Sequence, residues 1–289
     1  MPVVDLTDES DETIRVLNVD GYNLAVWLPA TNQEEEFRTI PTWKARSDDV
    51  IICAYPKAGT HWLWEIISML YNGKANRIWE NKEIAMMEFL SLKEYDDLPS
   101  PRILNTHLFF HQLPTDTLTK KPKLVFIQRN PRNIAVSFYH HHKKIVMYNY
   151  DGKWENYFNR FLNGNIDFGS WFEYTLDWET TIKEHPELPI HVMYFENLKQ
   201  NGIEEIQRLA DFLGVNANKK LITAIEEMCQ FSTMKKDKDQ MELLEISRDK
   251  KPLFYRKGEI GDWKNWFTVA QSEKFDEVMK EKTKASDTK

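Results

Sequence analysis

The chain has 289 residues, a formal charge of −7, and hydrophobic and aromatic fractions of 42% and 13%. That is enough apolar material for a full core, in one large domain or two small ones. The acidic balance excludes the broad basic field that general nucleic-acid binding needs, so any basic site must be local.

Residues 1–12, MPVVDLTDESDE, are acidic and are expected to be a flexible segment, leaving 13–289 as one domain. The start of the chain has neither an apolar signal-peptide core nor an Arg-rich transit pattern. No run reaches the ~18 apolar residues of a membrane span. Cys53 and Cys229 lie far apart and supply no disulfide framework, which favours a reducing compartment. The expectation is a cytoplasmic protein with no membrane and no nucleic-acid partner.

TIPTWKARSDD, from Thr39, reads as loop. Four short apolar runs then read as strands: VIICAY (50–55), RILNTH (102–107), KLVFIQ (123–128) and IHVMYF (190–195). Patterned stretches at 60–72, 132–145, 170–185, 203–214, 218–229 and 269–282 read as helices. The tail EKTKASDTK is polar and is expected to fray. Strands alternating with helices predict a single-domain α/β fold, with a central parallel sheet flanked by helices. Ligands of such sheets bind beyond the carboxyl ends of the strands. Tyr55, His107 and Arg129 all fall at or just past such ends.

Three segments carry anion-binding chemistry. The first is Pro56-Lys57-Ala58-Gly59-Thr60-His61-Trp62, a P-loop-like strand–loop–helix junction without the GxxxxGK[ST] pattern. Gly59 permits a sharp turn and close approach of the backbone. Helix-opening amides present free N–H groups to negative charge, Thr60 adds a hydroxyl, and Lys57 adds a movable point charge. The second runs from Ile127 to Ser137, where Arg129 leaves a strand, Pro131 suits a helix start and Ser137 follows on the helix. The third is Tyr255-Arg256-Lys257-Gly258-Glu259-Ile260-Gly261-Asp262, two cations followed by two glycines. Each has an ordinary alternative: a surface lysine, a salt-bridged arginine beside a helix-surface serine, a glycine-bearing surface loop. The buried strand before Lys57 and the apolar helix after it tip the first toward binding.

Together the segments resemble the cytosolic sulfotransferases, whose YPKxGTxW, strand-end arginine with helix serine, and RKGxxGDWKNxF motifs recur here in order from about Val50 to Glu273. The resemblance implies 3′-phosphoadenosine-5′-phosphosulfate (PAPS) as co-substrate, PAP as product, and sulfuryl transfer to a small, largely apolar hydroxyl or amine acceptor. It implies that Lys57, Ala58, Gly59, Thr60, His61 and Trp62 line the 5′ side, and that Arg129, Ser137, Arg256, Lys257 and Gly258 hold the 3′-phosphate. Tyr194 is implied at the adenine edge. Trp62 and Phe231 are implied on the two faces of adenine, with Cys229 beside them. Asn105-Thr106-His107-Leu108 resembles KTHLP, which makes His107 the implied base for an in-line displacement, with Lys57 stabilising the departing oxygen.

A sulfuryl group carries less charge than a terminal phosphoryl group, so no metal is required; phosphoryl transfer, by contrast, uses Mg²⁺. His140, His141 and His142 diverge by about 100° per residue on a helix and cannot converge on one ion. The resemblance instead puts His141 at the acceptor pocket, with Met86, Phe89, Asn105 and His107 as further acceptor-side residues. Lys264 to Glu273 resembles the family's KxxxTVxxxE segment and implies a homodimer. The chain departs from the pattern at Asn105, where lysine is usual, at His61, where threonine is common, and at Cys229. These departures leave open a catalytically degenerate nucleotide-binding protein. A kinase-like phosphotransferase is a further alternative, disfavoured by the 3′-phosphate residues. The acceptor itself is not legible.

Overall fold

The computed structural model describes residues 3–26, 32–238, 246–251 and 255–284. Met1, Pro2 and the last five residues of the polar tail lie outside that range. The chain divides into two units: Met1–Glu34 with Asn130–Glu184 and Leu243–Lys289, and Glu35–Arg129 with His185–Glu242.

In the first unit, β1 (Val3–Thr7), β2 (Thr13–Val19) and β3 (Tyr22–Leu24) form an antiparallel sheet in that order. Asp20 and Gly21, both at positive φ, join β2 to β3 as a two-residue hairpin. Val3–Thr7 falls in the acidic segment expected to be flexible. Arg160 engages this segment: its buried guanidinium donates to the carbonyls of Leu6 (3.0 Å) and Glu12 (2.7 Å) and pairs with Asp8 at 3.0 Å. The helices of this unit include Pro131–Lys144, Trp154–Leu162, Trp171–Glu184 and Val269–Lys284. Pro131 sits at the first helical position, where its missing N–H costs nothing, and Asn130 caps the helix through Arg132 N. Buried aromatic side chains, among them Tyr139, Tyr150, Trp154, Tyr157 and Phe161, fill the core.

The second unit contains the expected parallel sheet. Its strands are β4 (Val50–Ala54), β5 (Ile103–Thr106), β6 (Lys123–Gln128) and β7 (Ile190–Tyr194), in the order β5-β4-β6-β7. Every residue of β4 is buried, as a strand covered on both faces requires. Helix Thr60–Asn72 covers β4 and β5 with Leu63, Ile66, Ile67 and Leu70, and helix Gly202–Leu213 covers β7. At the amino end, the fully buried Arg102 makes a two-point bond to Asp49 (2.7 and 2.6 Å) and stacks on Tyr95.

Register decides where the chemistry sits. Cys53 lies opposite Thr106, Ala54 opposite Ile127, and Gln128 opposite Tyr194. Residues that follow these positions therefore emerge along one edge. The chain passes from β4 to β5 on one side, then from β5 to β6 on the other side of β4, so the end of β4 is a topological switch point.

Candidate active site

At that edge of the second unit, the chain leaves β4 through Tyr55 and turns. Lys57 has φ 70° and Gly59 φ 122°, and helix Thr60–Asn72 begins at once. No side chain caps the helix at its opening turn. A Cβ on Gly59 would lie 3.0 Å from Phe195 Cδ2 and 3.3 Å from Ile127 Cδ1, so glycine suits the conformation and any side chain would crowd Phe195. Thr60 Oγ1 and Trp62 Nε1 are buried and meet no hydrogen-bonding partner among the described residues. Buried polar atoms are rarely left so.

Arg129, just past β6, donates from Nη1 to the carbonyl of Lys57 at 2.9 Å. Its guanidinium lies 4.1 Å from the centroid of the Phe195 ring, and Phe195 meets Trp62 edge-on at 5.3 Å. Arg129 and Lys57, predicted in separate motifs, thus share one structure, with Phe195 as the element that sequence reasoning missed. Tyr194 is exposed at the end of β7. Cys229 is buried, and burial, then Glu65, pushes its thiol up to about 12. Phe231 is half-buried at the start of helix Phe231–Lys238.

His107 follows β5. Its Nδ1 lies 2.6 Å from the Ala54 carbonyl. A carbonyl can only accept, so Nδ1 carries the proton and the neutral ring keeps its lone pair on Nε2. Burial first, then Lys82, pushes this histidine well below its ordinary value, so it is neutral at neutral pH. Glu88 receives the His107 backbone N–H and, at 2.9 Å, the Thr106 hydroxyl. Burial raises Glu88 to about 7 against those bonds.

Asn105 is fully buried, and its Nδ2 donates to the Lys82 carbonyl at 2.8 Å. Met86 is buried and bridges Asn105 along the strand edge, while Phe89 is half-buried. His61 Nε2 lies 3.4 Å from Glu83. Desolvation, then Lys82 and Lys57, holds His61 well below its ordinary value. Lys82, Glu83 and Glu88 were not singled out from the sequence, because the 3-10 turns that carry them, Lys82–Ala85 and Met87–Phe89, have no periodic pattern.

In the first unit, Ser137 lies half-buried on helix Pro131–Lys144, on the same face as Asn133 and His140. Asn133 accepts the Gly261 N–H at 3.2 Å, and His140 meets Trp266 edge-on at 4.7 Å. Arg256 and Lys257 both reach Asp262 at 2.6 Å, and Gly258 has φ 66°. Burial pushes the Asp262 carboxyl up, but Lys257 and Arg256 outweigh it and hold the group below the usual range. Arg256 Nε and His140 Nε2 are buried without a hydrogen-bonding partner among the described residues. His140 is lowered to about 4 by burial and then by Arg256. His141 lies beside Phe138 and Tyr148, and His142 bonds Asp167 and Tyr157. His141 and His142 thus share Phe138 and Tyr148, while His140 faces Tyr139 and Trp266. Among the described residues, no group of three or more His, Cys, Asp or Glu could hold a metal, and no helix is long and apolar enough to cross a membrane.

The pattern of the sulfotransferase domain matches residues 47–287. This chain belongs to the sulfotransferase family. Sulfotransferase 1B1 of the dog is 35% identical over 276 residues, covering 91% of this chain and 90% of that one. Human sulfotransferase 1C2 is 32% identical, covering 96% and 95%. Among solved structures, mouse sulfotransferase SULT7A1 complexed with PAP superposes with a TM-score of 0.77 at 26% identity, over 92% of this chain and 94% of that one. A retinol dehydratase structure with androsterone and PAP, at 18% identity and TM-score 0.76 over 98% and 96%, shows the same fold. This sulfotransferase is therefore an enzyme of sulfuryl transfer on the expected α/β fold.

Proposed function

We propose that this sulfotransferase moves the sulfuryl group of PAPS to a hydroxyl or amine of a small, largely apolar acceptor, with His107 as the base. The observation that carries the reading is the fixed tautomer of His107, whose Nδ1 is bonded to Ala54 at the end of the strand that opens the Lys57 loop. Its Nε2 lone pair takes the acceptor's proton and makes a weak nucleophile strong. The donor supplies an activated sulfuryl group and a leaving phosphate.

The residues present fit such a donor. The unused Thr60 hydroxyl and the opening amides of the helix suit a phosphosulfate, and Lys57 suits charge that grows on a leaving oxygen. Ala58, His61 and Trp62 complete that loop, and Tyr194, Cys229 and Phe231 are the proposed nucleotide-side residues. Arg129 is proposed for the 3′-phosphate. In the first unit, Ser137, Arg256, Lys257 and Gly258 are proposed phosphate ligands, supported by the unused Arg256 Nε. Met86, Phe89, Asn105 and His141 are the proposed acceptor-side residues. No step calls for a metal.

A cytoplasmic homodimer is proposed through Lys264–Glu273, where Val269 leaves 76% of its surface exposed at the start of the last helix. A sedimentation mass near 34.4 kDa at all concentrations would remove the dimer.

The test of the reading is sulfate transfer from labelled PAPS to a panel of phenols, sterols and amines. Wild type is expected to turn over at least one class, and His107→Ala to lose about 10²- to 10⁴-fold in rate. Tight PAP binding with no transfer to any acceptor would overturn it.

A further inference from the structure

The departures at Asn105 and His61 meet at one buried side chain. Lys82 is 4% exposed, and its Nζ lies 3.2 Å from Asn105 Oδ1, 3.4 Å from Glu83 Oε1 and 3.5 Å from Met86 Sδ. The contact with Asn105 is reciprocal, because the amide Nδ2 returns to the Lys82 carbonyl. The Met86–Asn105 bridge holds the same segment along the outer edge of β5. Glu83 Oε1 is shared, standing 3.4 Å from both the Lys82 ammonium and His61 Nε2.

A buried ammonium demands close, strong compensation. Lys82 has one carboxylate, at long range and shared with an imidazole, together with an amide oxygen and a thioether. The site therefore lacks a close, unshared counter-charge beside Asn105, the penultimate residue of the strand that leads into His107. An oxyanion is the partner that would complete it.

We propose that Lys82 is the cation for the transferring sulfuryl group in this protein, brought from the 82–85 turn to a position where β5 offers an asparagine. The inference rests on the functional reading above. Asn105 then acts as a positioning residue that holds the Lys82 chain, and Glu83 ties His61 into the same arrangement. The groups facing His107 are Lys82, His61, Lys57 and Glu88. Of these, Lys82 does most to keep the imidazole neutral, after burial itself.

Lys82→Gln tests this, because glutamine retains a donor for Asn105 and loses the charge. Lys82→Met is the second charge-removing variant, should the first fail to fold. Binding of PAP and of PAPS is measured by calorimetry without acceptor. PAP lacks the sulfuryl group, so its affinity is expected to hold within about twofold, while PAPS binding falls about ten- to hundredfold, the range of a lost charge-assisted hydrogen bond. Lys82→Gln combined with Asn105→Lys is expected to recover the preference for PAPS.

An independent readout is the pH titration of the His107 ring by NMR, which is expected to move to higher pH in Lys82→Gln. An unchanged ratio of PAPS to PAP affinity, with an unmoved His107 titration, would overturn the role of Lys82 while leaving the functional reading intact. If wild type binds neither nucleotide, the functional reading itself falls, and the assignment of Lys82 falls with it.

Discussion

Replacing Gly59 with alanine tests the architecture of the loop directly. At φ 122° an L side chain is strained, at a cost of roughly 1–3 kcal/mol. The new methyl would also stand 3.0 Å from Phe195 Cδ2 and 3.3 Å from Ile127 Cδ1. Ile127 lies in the buried β6, so Phe195 must give way, at an overpacking cost of about 1–3 kcal/mol. The sum is about 2–6 kcal/mol, a large part of a typical folding free energy. The displacement has a functional consequence as well, because Phe195 carries the Arg129 guanidinium at 4.1 Å and the Trp62 edge at 5.3 Å. Urea unfolding of Gly59→Ala is expected to show that loss, and PAP is expected to raise its melting temperature much less than it raises that of wild type. A variant within about 0.5 kcal/mol of wild type, the scale of a neutral surface change, and with an undiminished PAP shift would refute the reasoning.

Three further outcomes follow from the electrostatics. His107 sits well below its ordinary value, so kcat/KM is expected to stay flat as pH falls through 6.5 and to drop only in more acid solution; an acid limb with its midpoint at or above 6.5 would contradict this. Glu88 is raised to about 7 from an ordinary 4.5, so the folded state holds that proton more tightly than the unfolded state does. Wild type therefore loses stability relative to Glu88→Gln as pH rises from about 4.5 to about 7. The loss is on the order of 2–4 kcal/mol, and melting curves across that range read it directly. Asp49→Asn leaves the fully buried Arg102 guanidinium without its counter-charge. Denaturant midpoints are expected to report about 3–5 kcal/mol of destabilisation.

The parallel sheet was legible because runs such as VIICA and KLVFIQ are apolar in the unbroken way that strands covered on both faces require. Helix Thr60–Asn72 was equally plain, since its apolar residues recur on one face. The N-terminal hairpin was not seen. Val19-Asp20-Gly21-Tyr22 carries a turn signal, but acidic composition around Val3–Thr7 argued for loose chain, and the buried Arg160 that binds it lies far along the sequence. Gly59, Arg129 and His107 could be singled out because they fall at a turn and at strand ends, where residue type is constrained. Phe195, Lys82 and Glu88 gain their roles from tertiary neighbours, and no local pattern marks them.

The clasp made by Arg160 ties the two ends of one short segment to a single buried side chain. Cutting away the first dozen residues would remove both of those carbonyl acceptors and the Asp8 carboxylate, and leave the buried guanidinium its bond to the Asn165 carbonyl. Losing those partners would therefore loosen the aromatic core of that unit, where Arg160 sits among Tyr150, Tyr157 and Phe161.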